Sequence, residues 1–315
     1  EASVFNFVEA GDPVLVCVHG VFGQRLAEEM RRAGASLHTV SAPFGQPLPL
    51  EEVREKAREV EPRVIAAVHA ETSTGVLQPV PPLREIADEV GALLLLDTVT
   101  SLGGHPVAVD DWGIDICYSG TQKCLSCPPG LAPMTVSARA EGRIDRRSEP
   151  CQSWYLDLDL VRNYWGGDRS YHHTAPISMN YALHEALGIV LEEGLESRWA
   201  RHKRNHEALV AGIEAMGLGM QVTEGYRLWS LNAVIIPDQV DDARVRGRLL
   251  HDFNLEIGGG LGDLKGKDWR VGLMGESSRP QNLLYFLFAL EKCLHEESFR
   301  CTPGAGVAAA TEALA

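Results

Sequence analysis

Short apolar runs alternate with stretches whose apolar positions recur every three or four residues. The runs Pro13 to Val18, Ser36 to Val40, Val64 to His69, Ala92 to Leu96, Ile114 to Tyr118 and Leu131 to Ser137 predict strands. Between them, Phe22 to Gly34 places Leu26, Met30 and Ala33 on one helical face, and Leu50 to Val60 and Pro82 to Gly91 also read as helices. Strands alternating with helices imply an α/β fold with a mostly parallel sheet covered by helices on both faces.

The second half reads differently. Ser178 to Met216 is helical, with a break near Gly194. Leu228 to Ile236 and Trp269 to Leu273 predict strands, Asp241 to Phe253 and Arg279 to Leu294 predict helices, and Gly258 to Gly262 reads as a turn. The expected organisation is a large domain over residues 1–193, a smaller C-terminal α/β domain over 194–301, and a disordered Ala/Gly-rich tail over 302–315. The opening stretch EASVFNFVEAGD resembles the end of a helix running into a turn, so the chain is expected to begin mid-element.

At 315 residues and 45% apolar content, the chain is long enough for a large core. Its formal charge of −14 argues against a nucleic-acid partner, which requires basic patches. No run approaches the ~18 apolar residues of a membrane span, so no membrane partner is expected. No basic, apolar and then small-residue leader is visible, and a cytoplasmic location is expected. The seven cysteines are odd in number and scattered, unlike a disulfide framework. Cys124 and Cys127 form a C-x-x-C without a second pair for zinc, and the spacing is read as incidental.

In doubly wound sheets, polar residues just past the carboxyl ends of strands build the ligand site. Thr72, Asp97 and Lys123 hold such positions. An isolated Asp in this position is commonly a helix cap, and a loop Lys is commonly solvated. Together they supply what pyridoxal phosphate needs: a lysine for its Schiff base and an acid for its ring nitrogen. The other candidates read as structural. His172 and His173 lack further ligands at metal spacing. His202 and His206 sit in HKRNH, without the glutamate of a zinc protease, and read as a solvated face. Glu193 to Arg204 reads as an exposed charged helix, and Asp157 and Asp159 as a cap signal.

Several motifs occur in one order: GDPVLVCVHGVFGQR, HAETSTGVLQP, LLLLDTVTSLGG, GIDICYSGTQKCLSCPPG, YLDLDLVRNYWG, YHHTAPIS and DWRVGLMG. Together they resemble the alanine–glyoxylate and serine–pyruvate aminotransferases, class V enzymes of PLP fold type I, over nearly the whole chain. The resemblance implies PLP-dependent transamination between a small amino acid (alanine or serine) and a 2-oxo acid (glyoxylate or pyruvate), in a homodimer. It assigns Lys123 as the Schiff-base lysine, Asp97 as the partner of the pyridine nitrogen and Thr72 as the hydroxyl near the ring O3′. Gln122 matches a side chain near the phosphate, and Val99 falls in the cofactor-binding set. Tyr171 and Thr174 match phosphate contacts made to the neighbouring subunit. Arg270 matches the arginine that grips the substrate carboxylate, a task suited to a planar guanidinium.

Two departures stand out. Phe22 occupies a position where the family usually has a Trp stacked on the cofactor ring; Phe offers a smaller π-face. The family also carries a preceding segment with a phosphate-binding loop and a dimerisation arm, which is expected to be missing here. Two alternatives follow: a truncated, weakly active or inactive homologue serving as a scaffold, or another class V enzyme such as a cysteine desulfurase. The second would need a nucleophilic Cys on a mobile loop, and Cys293 and Cys301 are the only late cysteines.

Overall fold

A computed structural model describes residues 1–166 and 169–315. The chain runs α1 (Ala2–Phe5), β1 (Pro13–Val18), α2 (Val21–Arg32), β2 (Ser36–Ser41), α3 (Leu50–Val60) and β3 (Val64–Val68). A small hairpin of β4 (Ala70–Glu71) and β5 (Val76–Leu77) precedes α4 (Pro81–Glu89), β6 (Leu93–Asp97), β7 (Ile116–Tyr118) and β8 (Met134–Val136). Then come α5 (Ala138–Asp145), α6 (Leu158–Trp165), α7 (Ile177–Glu193), α8 (Leu195–Ala215), β9 (Leu231–Ile235) and α9 (Asp242–Phe253). The chain closes with β10 (Gly258–Gly259), β11 (Asp268–Gly272), α10 (Pro280–Glu296) and α11 (Ala305–Leu314).

Six strands form the main sheet in the order β2-β1-β3-β6-β7-β8. The pairings are parallel except the last, where β8 runs antiparallel to β7. The near-continuous apolar runs of the central strands are explained by burial on both faces. Because side chains alternate across a strand, each run splits between two cores. Leu15, Cys17, Ile65, Ala67, Leu94 and Leu96 pack with Val53 and Ala57 of α3 and Leu83 and Ile86 of α4. Val14, Val16, Val64, Ala66, Leu93 and Leu95 pack on the opposite face with Leu26 and Met30 of α2 and Phe7.

A separate antiparallel sheet, β10-β11-β9, is backed by α8, α9, α10 and α11 around Trp269, Leu287 and Leu290. Gly194 ends α7 and opens α8, as the break in the helical pattern predicts. Asp157 caps α6, its carboxylate accepting the Asp159 N–H at 2.9 Å.

Three expectations are corrected. Residues 302–315 are not a disordered tail: α11 packs against α8, with Ala310 buried. The two helices meet where side chains are absent, since a Cβ on Gly212 would lie 2.9 Å from the Gly306 carbonyl oxygen. His202 and His206 are buried, not solvated, hydrogen-bonded to the Arg198 carbonyl and to Asn232 Oδ1. The 193–204 stretch is not simply an exposed charged helix, because Arg198 is buried. It donates to the carbonyls of Gly103 and Cys124 and pairs with Glu193. Among the described residues, no helix is long and apolar enough to cross a membrane.

Candidate active site

Four strands of the main sheet deliver their carboxyl ends to one edge. β1 leads through Gly20 into α2 and Phe22, and β3 leads through His69 into Thr72. β6 ends on Asp97, and β7 leads into Gln122 and Lys123. Register aligns them, with Val68 beside Asp97 and Asp97 beside Tyr118. A cavity of about 280 Å³ opens there, lined by Phe22, Thr72, Asp97, Val99, Gln122 and Lys123 among others. Six positions expected from the sequence therefore share one cleft.

Asp97 is buried at the floor of this cleft. Its Oδ1 accepts the Val99 N–H at 2.8 Å and its Oδ2 accepts the Tyr118 hydroxyl at 2.7 Å. Burial pushes its carboxyl up to about 6, against the opposing pull of those two hydrogen bonds. A carboxylate held in this way gains from a cation placed against it. Lys123 is half-buried on the cleft wall. Gly120 lets Gln122 and Val99 close together: a Cβ there would lie 2.8 Å from Gln122 Oε1 and 3.3 Å from Val99 Cγ1.

Thr72 is buried, and its carbonyl oxygen accepts from Arg270 Nη1 at 3.2 Å. Arg270 reaches it from β11, with Nε donating to the Gly259 carbonyl at 2.8 Å. The Gly258–Gly262 run thus supplies β10, which pairs with β11 and supports Arg270. Nη2 of Arg270 makes no hydrogen bond among the described residues, so part of its fork is free beside the cleft. Tyr171 and Thr174 lie outside the cleft. They bond to each other at 3.2 Å, and Tyr171 is 77% exposed.

Three residues at the site escaped the sequence reading. Tyr118 holds Asp97, as above. Arg25 lines the cleft, its guanidinium 5.0 Å from the centre of the Phe22 ring. Glu71, at the end of β4, is a fully buried carboxylate packed against the start of α2. A signal for Glu71 exists in HAETSTG: an acid closing an apolar strand demands buried donors, and the next residues are Thr72 and Ser73. Tyr118 and Arg25 carry no such local signal.

Elsewhere, His172 stacks on Trp154 at 4.2 Å and touches His173 Nδ1 at 2.8 Å, and no cluster of metal-ligating residues occurs among the described residues. All seven cysteines are free, and Cys293 is buried within α10.

The cleft suits pyridoxal phosphate on its donor set. It offers a buried acid for a protonated ring nitrogen, a lysine for the aldehyde and an aromatic face for the ring, in a volume close to the ~300 Å³ lower end of small-molecule sites.

Comparison with known proteins agrees. Residues 2–230 match the family model "Aminotransferase class-V". The (S)-ureidoglycine–glyoxylate transaminase of Bacillus subtilis is 37% identical, over 99% of this chain and 79% of that protein. The alanine–glyoxylate aminotransferase of Oryctolagus cuniculus is 38% identical, over 93% of this chain and 76% of its own length. The crystal structure of the alanine–glyoxylate aminotransferase from Nostoc sp. superposes with a TM-score of 0.91 at 49% identity, covering 93% of this chain and 78% of that one. A cysteine desulfurase from Thermococcus onnurineus shares the fold at only 16% identity. The chain belongs to the class V aminotransferases and is a pyridoxal-phosphate-dependent aminotransferase.

Proposed function

We propose that the chain transfers the amino group of a small amino acid to glyoxylate, with Lys123 and Asp97 as the two central groups. The observation that carries this reading is their placement: a buried carboxyl at the end of β6 and a lysine in the turn that follows neighbouring β7, lining one cavity. Glyoxylate as acceptor is supported by the names of the two relatives above, which share it. Alanine is the first donor to test, with serine next. Ureidoglycine is the rival donor, motivated by the Bacillus subtilis relative, and pyruvate is the alternative acceptor.

When bound, pyridoxal phosphate supplies an electron sink for the charge left as the substrate Cα loses its proton. The chain's own residues do the rest. Lys123 Nζ would hold the cofactor covalently and, when not so engaged, would take the proton from the substrate Cα as general base and deliver it as general acid to the cofactor carbon that carries the transferred nitrogen. Asp97 supplies negative charge at the floor, kept in place by Val99 N–H and Tyr118 Oη. Phe22 covers one face of the cleft, and Thr72, Val99 and Gln122 complete its lining. The free edge of the Arg270 guanidinium orients the substrate carboxylate.

Tyr171 and Thr174 serve the cleft of a second copy in a homodimer. The exposure of Tyr171 supports this, as do the exposed apolar side chains on neighbouring α6 and α7, Trp165, Ile177, Tyr181 and Leu191. Residues 1–193 act as the cofactor-binding domain and 194–301 as the smaller domain that brings Arg270, with α11 docked onto it. A cytoplasmic, reducing location is supported by seven free cysteines.

A panel of donors and acceptors, read as single half-reactions by absorbance of the bound cofactor, tests the assignment. Conversion by alanine and reversal by glyoxylate are expected. No conversion by alanine, serine or ureidoglycine would overturn it. Mixing Lys123→Ala with Tyr171→Ala/Thr174→Ala tests the shared site, because activity returns only if two chains build each cleft.

A further inference from the structure

Glu71 is not itself part of the cavity lining and is closed to solvent, yet it is tied to both walls of the cleft. It is fully buried. Its Oε2 accepts the Gly23 N–H at 3.0 Å and its Oε1 accepts the Phe22 N–H at 3.4 Å, both at the first turn of α2. Oε1 also accepts the Ser73 N–H at 3.1 Å and the Ser73 hydroxyl at 2.6 Å, in the turn that carries Thr72. Ser73 Oγ in turn accepts the Val21 N–H at 2.8 Å. One carboxylate and one hydroxyl thus satisfy three amides at the start of α2, which have no intrahelical partners. The helix dipole favours negative charge there.

Space is fitted as closely as polarity. A Cβ on Gly20, the residue before α2, would fall 2.3 Å from the Glu71 side chain and 2.5 Å from Ser73 Oγ. The Gly20 backbone is extended, so only this contact excludes a side chain.

From this geometry we infer that Glu71 is a positioning residue: it locks the start of α2 to the Thr72 turn and so fixes Phe22 and Thr72 at the spacing that receives the cofactor. The inference rests on the cofactor assignment above. Without the carboxylate, the Phe22 and Gly23 amides lose their acceptor and the first turn of α2 comes free.

Two substitutions approach the contact from opposite sides. Glu71→Ala removes the acceptor; Gly20→Ala leaves Glu71 intact but drives a methyl group into it. Glu71→Gln retains an acceptor oxygen for the α2 amides. In the cofactor-free protein, amide hydrogen exchange over residues 20–26 is expected to speed up at least tenfold in both Ala variants, with residues 50–60 of α3 unchanged. Pyridoxal phosphate titrations are expected to give a Kd at least tenfold weaker for both, and within about threefold of the unmutated protein for Glu71→Gln. If the unmutated chain binds no cofactor, the cofactor assignment fails. If it binds and both Ala variants bind equally well, the positioning role fails. Faster exchange throughout the chain would mean a general structural defect and would also overturn it.

Discussion

Tyr118→Phe changes a single interaction at the floor of the cleft. The phenol oxygen gives Asp97 Oδ2 one of its two hydrogen bonds, at 2.7 Å, and the ring stays in place when the hydroxyl is removed. A hydrogen bond to a charged group contributes about 1.5–3 kcal/mol, and one pKa unit corresponds to about 1.36 kcal/mol. Asp97 already sits at about 6 because burial outweighs its donors. Losing the phenol should raise it by about 1–2 units. Cofactor binding needs the ionised carboxylate, so affinity weakens as pH falls through the Asp97 pKa. The assay is a pyridoxal phosphate titration of cofactor-free protein from pH 5 to 9, with the two proteins compared under identical conditions so that the ligand's own titration cancels. The acid midpoint should move upward by about 1–2 units in Tyr118→Phe, with affinity at the highest pH nearly unchanged. An unmoved midpoint would refute the claim that Tyr118 sustains the charge on Asp97.

Other expectations follow from the same geometry. Arg270→Ala should raise the KM for the amino donor by about tenfold or more, the loss of a charge-assisted contact, while the cofactor Kd changes little. Equal loss of both would argue against a substrate role. Asp97→Asn should abolish transamination yet stabilise the cofactor-free protein. The folded-state pKa is raised from 3.8 to about 6, so the carboxyl costs stability as pH rises through that window. A gain of about 1–3 kcal/mol in unfolding free energy at pH 8 is expected; a loss would contradict it. His19 is buried, neither ring nitrogen has a hydrogen-bond partner among the described residues, and burial lowers it to about 4. Its stabilising contribution is present above pH ~6.5 and is lost as pH falls towards 4. His69, His202 and His206, also lowered to about 4 by burial, act in the same direction. Asp97 and Asp268, the latter pushed up to about 7, act oppositely. Between pH 7 and pH 5, His19→Leu should lose about 2 kcal/mol less unfolding free energy than the unmutated chain; equal losses would refute the assignment.

The large sheet was legible because its strands are short apolar runs buried on both faces, of which LLLLD is the clearest. Asp97 and Lys123 were legible as candidates only as a pair, since each alone has a common structural use, and the fold brings both to one cavity. What the sequence concealed depends on partners distant along the chain. The Ala/Gly-rich end reads as disordered by composition, but α11 is held by tertiary packing where Gly212 and Gly306 let two backbones approach. His202 and His206 look like a polar helix face because neighbouring Lys203 and Arg204 are charged. In the fold, α8 carries buried residues on much of its surface and its imidazoles find backbone and Asn232 partners. Tyr118 reads as one more strand aromatic, and only register brings its hydroxyl to Asp97. Glu71 left a local signal in HAETSTG, but its partners on α2 lie about fifty positions earlier in the chain and were not legible.

Lys123 and Asp97 line one cleft, and the proposed function requires that one bound cofactor engage both. Borohydride reduction of the protein with pyridoxal phosphate, followed by peptide mass spectrometry, tests it most directly. A single phosphopyridoxyl adduct on Lys123 is expected, absent in Lys123→Ala and much weakened in Asp97→Ala. Equal labelling of Lys123→Ala, or an adduct confined to another lysine, would contradict the account.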